Sequence, residues 1–145
     1  MKKRILHTLL LIFLAAILVS LLWELGHSKL YDWNKEPLKN DFNFYIYRIL
    51  KSTIGDGIFI LLIFLLNSLF RHNFKWISEP RKRDFFILAV LGIAFAILIE
   101  IRARMMNLWS YNELMPTIFG IGVTPLIQLA ATSMIILIVL RKVLK

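Results

Sequence analysis

The chain has no cysteine, and this absence excludes three kinds of chemistry at once. Without thiols there are no disulfides, no thiol nucleophile and no thiolate metal site, and the redox compartment stays undetermined. The sequence also lacks a cofactor-binding motif, so we expect no cofactor and no redox reaction. With 145 residues, the chain has room for one small helical bundle and two modest loops, but not for a soluble domain beside it.

Acidic residues are scarce, and the excess of Lys and Arg gives a net charge of +9. In a soluble protein, such a charge would favour nucleic acid as a partner. Here the basic residues flank long apolar runs, and 59% of all residues are hydrophobic. The charge therefore indicates orientation in a membrane, and we expect no nucleic-acid partner.

Four apolar segments make up most of the chain, at about residues 5–24, 53–71, 84–104 and 124–142. A hydrocarbon core about 30 Å thick needs roughly 20 apolar residues in a helix. We therefore predict an all-α, polytopic membrane protein with a single domain of four transmembrane helices. The first segment is too long for the apolar region of a signal peptide and lacks a clear cleavage site, so we expect it to be retained.

Lys and Arg are distributed unequally between the two ends of these helices. Eleven basic residues and two acidic ones fall at the end that holds both termini and the loop around residues 71–84. The positive-inside rule predicts a multi-pass protein of the bacterial cytoplasmic (inner) membrane with both termini in the cytoplasm. Trp and Tyr collect near the opposite boundary, where we expect an aromatic belt.

The fourth helix is expected to be short. Pro116 and Gly122 interrupt the stretch before it, and Thr124 followed by Pro125 is typical of an N-cap and a first helical residue. From there to the basic end the helix would measure about 24 Å, which is too short to cross fully. We therefore predict a partly re-entrant loop before it, and a helix N-terminus that attracts a negative charge, either Glu100, Asp56 or an anionic head group.

Three helices carry a polar residue at about the same depth. At 1.5 Å per residue from the basic end, Asp56, Glu100 and Gln128 lie about 20–24 Å along their helices, inside a core of about 30 Å. The same count places Glu24 at the outer surface, where Glu24 and His27 share a helix face. Such a pair can supply two metal ligands, but no second histidine lies at that end, so we expect no metal.

A carboxylate in lipid is costly, so Asp56 and Glu100 should turn into the bundle and find partners. Two carboxyl groups in a low-dielectric site do not both ionise easily, and one is expected to keep a proton that it can donate. The alternative is a structural network in which the acids pair with Arg102, Arg104 or Gln128. The glycines on both sides of Asp56 either admit a ligand or another backbone, or mark a loose helix start.

Residues 100–128 contain a glutamate followed by three short motifs. They are Glu100, Trp109-Ser110-Tyr111-Asn112, Gly120-Ile121-Gly122 and Pro125-Leu126-Ile127-Gln128. This order resembles the membrane-bound lycopene cyclases of the heterodimeric bacterial and fused archaeal type. That family has paired glutamates where this chain has Ile127 and Gln128, so the resemblance implies proton-dependent cyclisation with Glu100 or Asp56 as the acid. The stretch is also similar to small, uncharacterised bacterial four-helix membrane proteins, a likeness that implies no activity.

The first functional hypothesis is a cyclase or isomerase that acts on an isoprenoid or other membrane lipid. Glu100 and Asp56 would be the catalytic acid and base. Polar groups would orient the substrate and aromatic faces would stabilise a carbocation. The residues expected to bind the substrate in this way are Gln128, Trp109, Tyr111, Asn112, Glu24 and His27.

Two alternatives stay open. One is a small proton-coupled transporter, although the first segment has no ionisable residue between 9 and 22, where small multidrug transporters place an essential glutamate. The other is a non-catalytic accessory or assembly protein that binds a membrane partner through the loop at residues 24–51. A homodimer is compatible with each of these functions.

Overall fold

The computed structural model describes residues 2–144, and four long helices account for most of this part of the chain. They are α1 (Lys2–His27), α2 (Phe42–Arg71), α3 (Lys82–Met105) and α4 (Val123–Val143). Each helix is long and apolar enough to cross a membrane. The prediction of an all-α, polytopic four-helix membrane protein is therefore confirmed.

Three small elements lie between the helices. Two single 3₁₀ turns cover Ser28–Leu30 and Lys75–Ile77, and strands β1 (Thr117–Ile118) and β2 (Ile121–Gly122) pair antiparallel. Phe119 and Gly120 join the strands with φ angles of 52° and 77°, the left-handed conformations that a two-residue hairpin turn requires. This hairpin was not predicted from the sequence.

α2 begins at Phe42, well before the predicted start at residue 53. The Oδ1 of Asp41 accepts a hydrogen bond of 2.8 Å from the backbone N–H of Phe44 and so caps the helix. The first turns contain Asn, Arg and Lys, and a count of apolar residues therefore missed them. α2 ends where His72 adopts a left-handed conformation with φ 54° and ψ 19°.

α4 is the shortest of the four helices, as predicted, but its 21 residues span about 31 Å and suffice to cross the membrane. The expectation that it is too short was wrong because the helix continues beyond Arg141 and begins at Val123, with Gly122 as its N-cap. The hydroxyl of Thr124 contacts the sulfur of Met115 at 3.2 Å and does not cap the helix. The re-entrant path of the preceding loop stays a prediction.

The helices pack as two close pairs, α1 with α2 and α3 with α4. The tightest approach lies at Gly92, where a Cβ atom would stand 2.5 Å from the backbone nitrogen of Ala130 on α4. The core is formed by buried aliphatic side chains together with Phe64 and Trp76, whereas many exposed Leu, Ile and Val side chains cover the outside. Such an exterior is typical of helices that face lipid.

The bundle has two distinct ends. At the end that we name the acidic end, the loops at 28–41 and 106–122 are joined by a β-bridge between Tyr31 and Tyr111. The backbone N–H of Asp32 also donates to the carbonyl of Ser110 at 3.0 Å. The opposite end, which we name the basic end, holds the start of α1, the end of α4 and the loop at 72–81. The acidic end is therefore covered by two connected loops.

Candidate carboxyl site at the acidic end

Glu24, Asp56 and Gln128 converge from three different helices, and we name them the carboxyl cluster. The amide nitrogen Nε2 of Gln128 donates to Oε1 of Glu24 at 3.0 Å and also to Oδ2 of Asp56. The carboxyl groups of Glu24 and Asp56 are themselves in hydrogen-bonding contact. Asp56 therefore has a partner inside the bundle, as the cost of a carboxylate in lipid predicted, and that partner is Gln128, one of the pairings named by the structural-network alternative.

The helix-rise count placed Glu24 at the outer boundary of the membrane, and it did not predict that the residue is buried within the protein. Only 3% of this residue is exposed. α1 continues one turn beyond Glu24 to His27, and the two loops of the acidic end cover the end of this helix. Glu24 is therefore enclosed by protein, for a reason that helix rise alone does not reveal.

Arg48 supplies positive charge near the carboxyl cluster. Its charge acts on Glu24, and its guanidinium lies 5.7 Å from the centre of the Trp109 ring. Its NH2 group also donates to the carbonyl of Leu108 at 3.5 Å. Arg48 and Asp56 are about two helical turns apart and share a face of α2. The sequence analysis missed Arg48 because it assigned residues before 53 to a loop.

Glu100 lies in a separate group. Its Oε1 accepts a hydrogen bond of 2.7 Å from the hydroxyl of Tyr111, and Nε1 of Trp109 donates to that hydroxyl at 2.8 Å. The backbone N–H of Gly122, at the N-terminus of α4, also points at the Glu100 carboxyl. The structure therefore places Glu100 at the N-terminus of α4, where the sequence analysis expected a negative charge.

Tyr31 connects the two acidic groups. Its ring stacks on Tyr111 with centroids 5.4 Å apart, and the ring of His27 meets it edge-on at 5.0 Å. Burial raises the pKa of Tyr31, and the negative charges of Glu24, Glu100 and Asp56 raise it further. Tyr31 therefore lies within electrostatic range of both the carboxyl cluster and Glu100.

Tyr111 has a raised pKa for similar reasons. Burial is the largest cause, followed by the charges of Tyr31 and Glu100. A phenol is protonated at neutral pH even without this shift, so Tyr111 serves Glu100 as a hydrogen-bond donor.

Asn112 and His27, which were predicted to bind the substrate, do not hydrogen-bond to the carboxyl cluster or to Glu100 in the described residues. The amide of Asn112 donates to the carbonyls of Lys29 at 2.7 Å and Tyr31 at 3.3 Å, and so joins the two loops. His27 is buried, and neither of its ring nitrogens has a hydrogen-bond partner among residues 2–144. In the same described part of the chain, no group of three or more His, Asp or Glu side chains is placed to hold a metal ion.

The carboxyl cluster is closely packed. A void lies next to Glu24, Tyr31 and Arg48. Its volume of about 10 Å³ is on the order of the space that a single water molecule occupies. Glu24 and Gln128 are buried, whereas Asp56 is only partly buried at the surface of the bundle. Asp56 is therefore the member of the cluster with the greatest exposure.

The fold and the site together define the class of this protein, a polytopic helical membrane protein with a carboxyl cluster at one end of its bundle. Comparison of the chain with protein-family models, with curated proteins and with solved structures gives no match.

Proposed function

We propose that this chain is a membrane enzyme that cyclises or isomerises an isoprenoid or other lipid by proton transfer from the carboxyl cluster. The contact between Glu24 and Asp56 supports this proposal, because two adjacent carboxyl groups in a low-dielectric site share a proton. Gln128 holds both groups in place. Asp56 has intermediate exposure whereas Glu24 is buried, so we assign the approach of a lipid chain to the Asp56 side of the cluster.

The proposed reaction needs no other reactant. The carboxyl O–H of Asp56 protonates a carbon–carbon double bond, and the electron pair of that bond forms the new C–H bond. The resulting carbocation either loses a proton to the carboxylate directly, or first adds to a second double bond, and the cyclic carbocation then loses the proton to the carboxylate. In both cases one proton enters and one leaves, so that the product is an isomer of the substrate.

Aromatic rings lie within one turn of Asp56. Phe59 follows Asp56 by three positions on α2, and its ring packs against Phe95 of α3 at 5.4 Å. Aromatic faces stabilise a nearby positive charge, which is what a carbocation intermediate requires. Trp109 and Tyr111 serve Glu100 instead, so we assign the proton transfer to Asp56.

We further propose that the basic end faces the cytoplasm of a bacterial inner membrane. The proposal rests on the excess of Lys and Arg at that end. The carboxyl cluster would then lie on the side of the outer leaflet.

Solvent deuterium provides the test of the enzymatic proposal. Proteoliposomes supplemented with lycopene, a linear isoprenoid, are incubated in D₂O, and the lipids are analysed by mass spectrometry for deuterium bound to carbon. We expect deuterated isomers with the wild type and with Glu113→Gln, which changes an exposed acid. Asp56→Asn and Glu24→Gln should give none. Folded wild-type protein that yields no carbon-bound deuterium in any lipid would contradict the proposal.

A non-catalytic accessory protein is the second candidate, because the void at the carboxyl cluster is only about 10 Å³. In that case the cluster joins three helices, and the function lies in binding a membrane partner or a second copy. Asp56→Asn would then lower stability without changing any lipid, and a partner would be crosslinked in the native membrane. Proton-coupled transport has less support, since buried Ile60, Ile63 and Phe64 separate Asp56 from the basic end.

A further inference from the structure

A groove opens at the basic end of the bundle, opposite the carboxyl cluster. Its volume is about 930 Å³, which falls within the range of roughly 300–1,000 Å³ typical of ligand sites. Its apolar walls include Ile5 of α1, Leu65 and Leu69 of α2, and Leu144 after α4. The reaction proposed for the carboxyl cluster does not use this groove.

The loop after α2 shapes the rim of the groove. Trp76 and Ile77 are buried in the core, and Nε1 of Trp76 donates to the hydroxyl of Ser68 at 2.9 Å. The Trp76 ring also packs against Phe64 at 5.3 Å. These contacts fix the loop against α2 and leave its residue Lys75 at the mouth of the groove.

The polar groups of the rim fall into two sets. Asn73 donates to the carbonyl of Arg71 at 2.7 Å, and Ser78 donates to the carbonyl of Lys75 at 2.9 Å, so both are engaged within the loop. The side chains of Lys75 and His72 are exposed, and neither has a hydrogen bond or ion pair with another residue of the described range 2–144. The rim therefore presents the unpaired side chains of Lys75 and His72 next to the apolar walls of the groove.

We propose that this groove binds one anionic phospholipid, with an acyl chain along Leu65 and Leu69 and its phosphate at Lys75 and His72. The apolar walls lie at the end of a membrane-spanning helix, where acyl chains meet headgroups. Residues 71–83 carry five basic side chains and one acidic side chain, so the rim attracts negative charge. A soluble anion has no acyl chain to contact the apolar walls, and a neutral lipid has no net negative charge for the basic rim to attract.

Native mass spectrometry of the full chain tests this site, because it counts bound lipids after exchange into fresh detergent. The probes are phosphatidylglycerol, phosphatidylcholine and inorganic phosphate. We expect the wild type to retain one phosphatidylglycerol, and Lys75→Ala to retain it about fivefold more weakly. Lys142→Ala is the matched control, since this exposed lysine at the same end does not line the groove, and it should behave as the wild type.

A second variant tests the apolar part of the site without a change in charge. Leu65→Trp places a large ring in the groove and should abolish retention of the lipid, whereas Leu62→Trp on the exposed face of α2 should not. If Leu65→Trp fails to fold, the comparison of Lys75→Ala with Lys142→Ala decides alone. Equal retention of phosphatidylglycerol by Lys75→Ala and the wild type would overturn the proposal. So would equal retention of phosphatidylcholine, or displacement of the lipid by inorganic phosphate.

Discussion

Gln128 of α4 donates a hydrogen bond of 3.0 Å to Glu24 of α1, across 104 positions of the sequence. The same amide nitrogen donates to Asp56 of α2. A primary amide has two N–H donors, and here each one serves a carboxyl group from a different helix. One neutral side chain therefore links three of the four helices through groups that are costly to bury unpaired.

Replacement of Gln128 by leucine should destabilise the protein by at least about 2 kcal/mol. Leucine has a similar volume but leaves two carboxyl groups without their amide donor, and unsatisfied buried polar groups cost about 1–3 kcal/mol each. Unfolding followed by circular dichroism in detergent micelles measures the change.

A double-mutant cycle separates this interaction from general packing. Gln128→Leu combined with Asp56→Asn should be strongly non-additive, because both changes affect the same hydrogen bond. Gln128→Leu combined with Glu113→Gln should be additive, since Glu113 is exposed in the loop before α4. Additive effects in both pairs would mean that the bond contributes nothing to stability.

The sequence predicts the four spans well because apolar length is a local property. It also predicts that Asp56 and Gln128 lie at one depth, since the rise of a helix per residue is constant. That Glu24 belongs to the carboxyl cluster could not be predicted from the rise of a helix. Its burial depends on two loops that meet through Tyr31 and Tyr111, which are far apart in the sequence.

The start of α2 shows a different limit of the sequence analysis. The helix extends through polar residues back to its cap at Asp41, so Arg48 lies on a helix and not in a loop. A capping residue three positions before Phe44 was a usable signal for this start. The glycine that matters most for packing was also missed, because the closeness of Gly92 to Ala130 depends on the arrangement of two helices.

Substitution of Gly92 by alanine should destabilise the protein by about 1–3 kcal/mol. The added Cβ would meet the nitrogen of Ala130 at 2.5 Å and its Cα at 2.6 Å, and a helix backbone cannot move aside as a side chain can. Gly55→Ala is the control, because nothing lies within 4 Å of its added Cβ. That variant should gain roughly 0.5–1 kcal/mol from helix propensity. Thermal unfolding of both variants in the same detergent gives the comparison, and equal stabilities would contradict the packing of α3 against α4.

Asp84→Asn should lower stability by about 3 kcal/mol, the scale for breaking one side of a buried ion pair. Asp84 is fully buried at the start of α3, and its Oδ2 accepts a hydrogen bond of 2.8 Å from the backbone N–H of Arg81. Its Oδ1 lies 3.5 Å from Nε of Arg71. The change leaves the Arg71 charge without its partner. Asp41→Asn, at an exposed helix cap where asparagine works equally well, should have almost no effect. Chemical unfolding curves that shift equally for the two variants would show that the Arg71–Asp84 pair is not important for stability.

Alkaline pH should destabilise the wild type more than Tyr31→Phe. The pKa of Tyr31 is raised in the folded protein by burial and by the charges of Glu24, Glu100 and Asp56. Above about pH 10 the unfolded phenol therefore loses its proton while the folded one keeps it, which favours the unfolded state. The contribution of Tyr31 to the free energy of unfolding is complete below that pH. As the pH rises toward the folded pKa, this contribution falls by up to about 1.4 kcal/mol per pH unit.

Thermal melts of both proteins between pH 8 and pH 11 measure this difference. Tyr31→Phe should match the wild type at pH 8, apart from a constant offset, and should lose stability less steeply above pH 10. Tyr47→Phe is the control, because its ring is exposed and unfolding changes the surroundings of an exposed ring little. Parallel curves for the wild type and Tyr31→Phe would mean that the phenol ionises alike in both states, so that burial and the neighbouring carboxyl groups do not act on it.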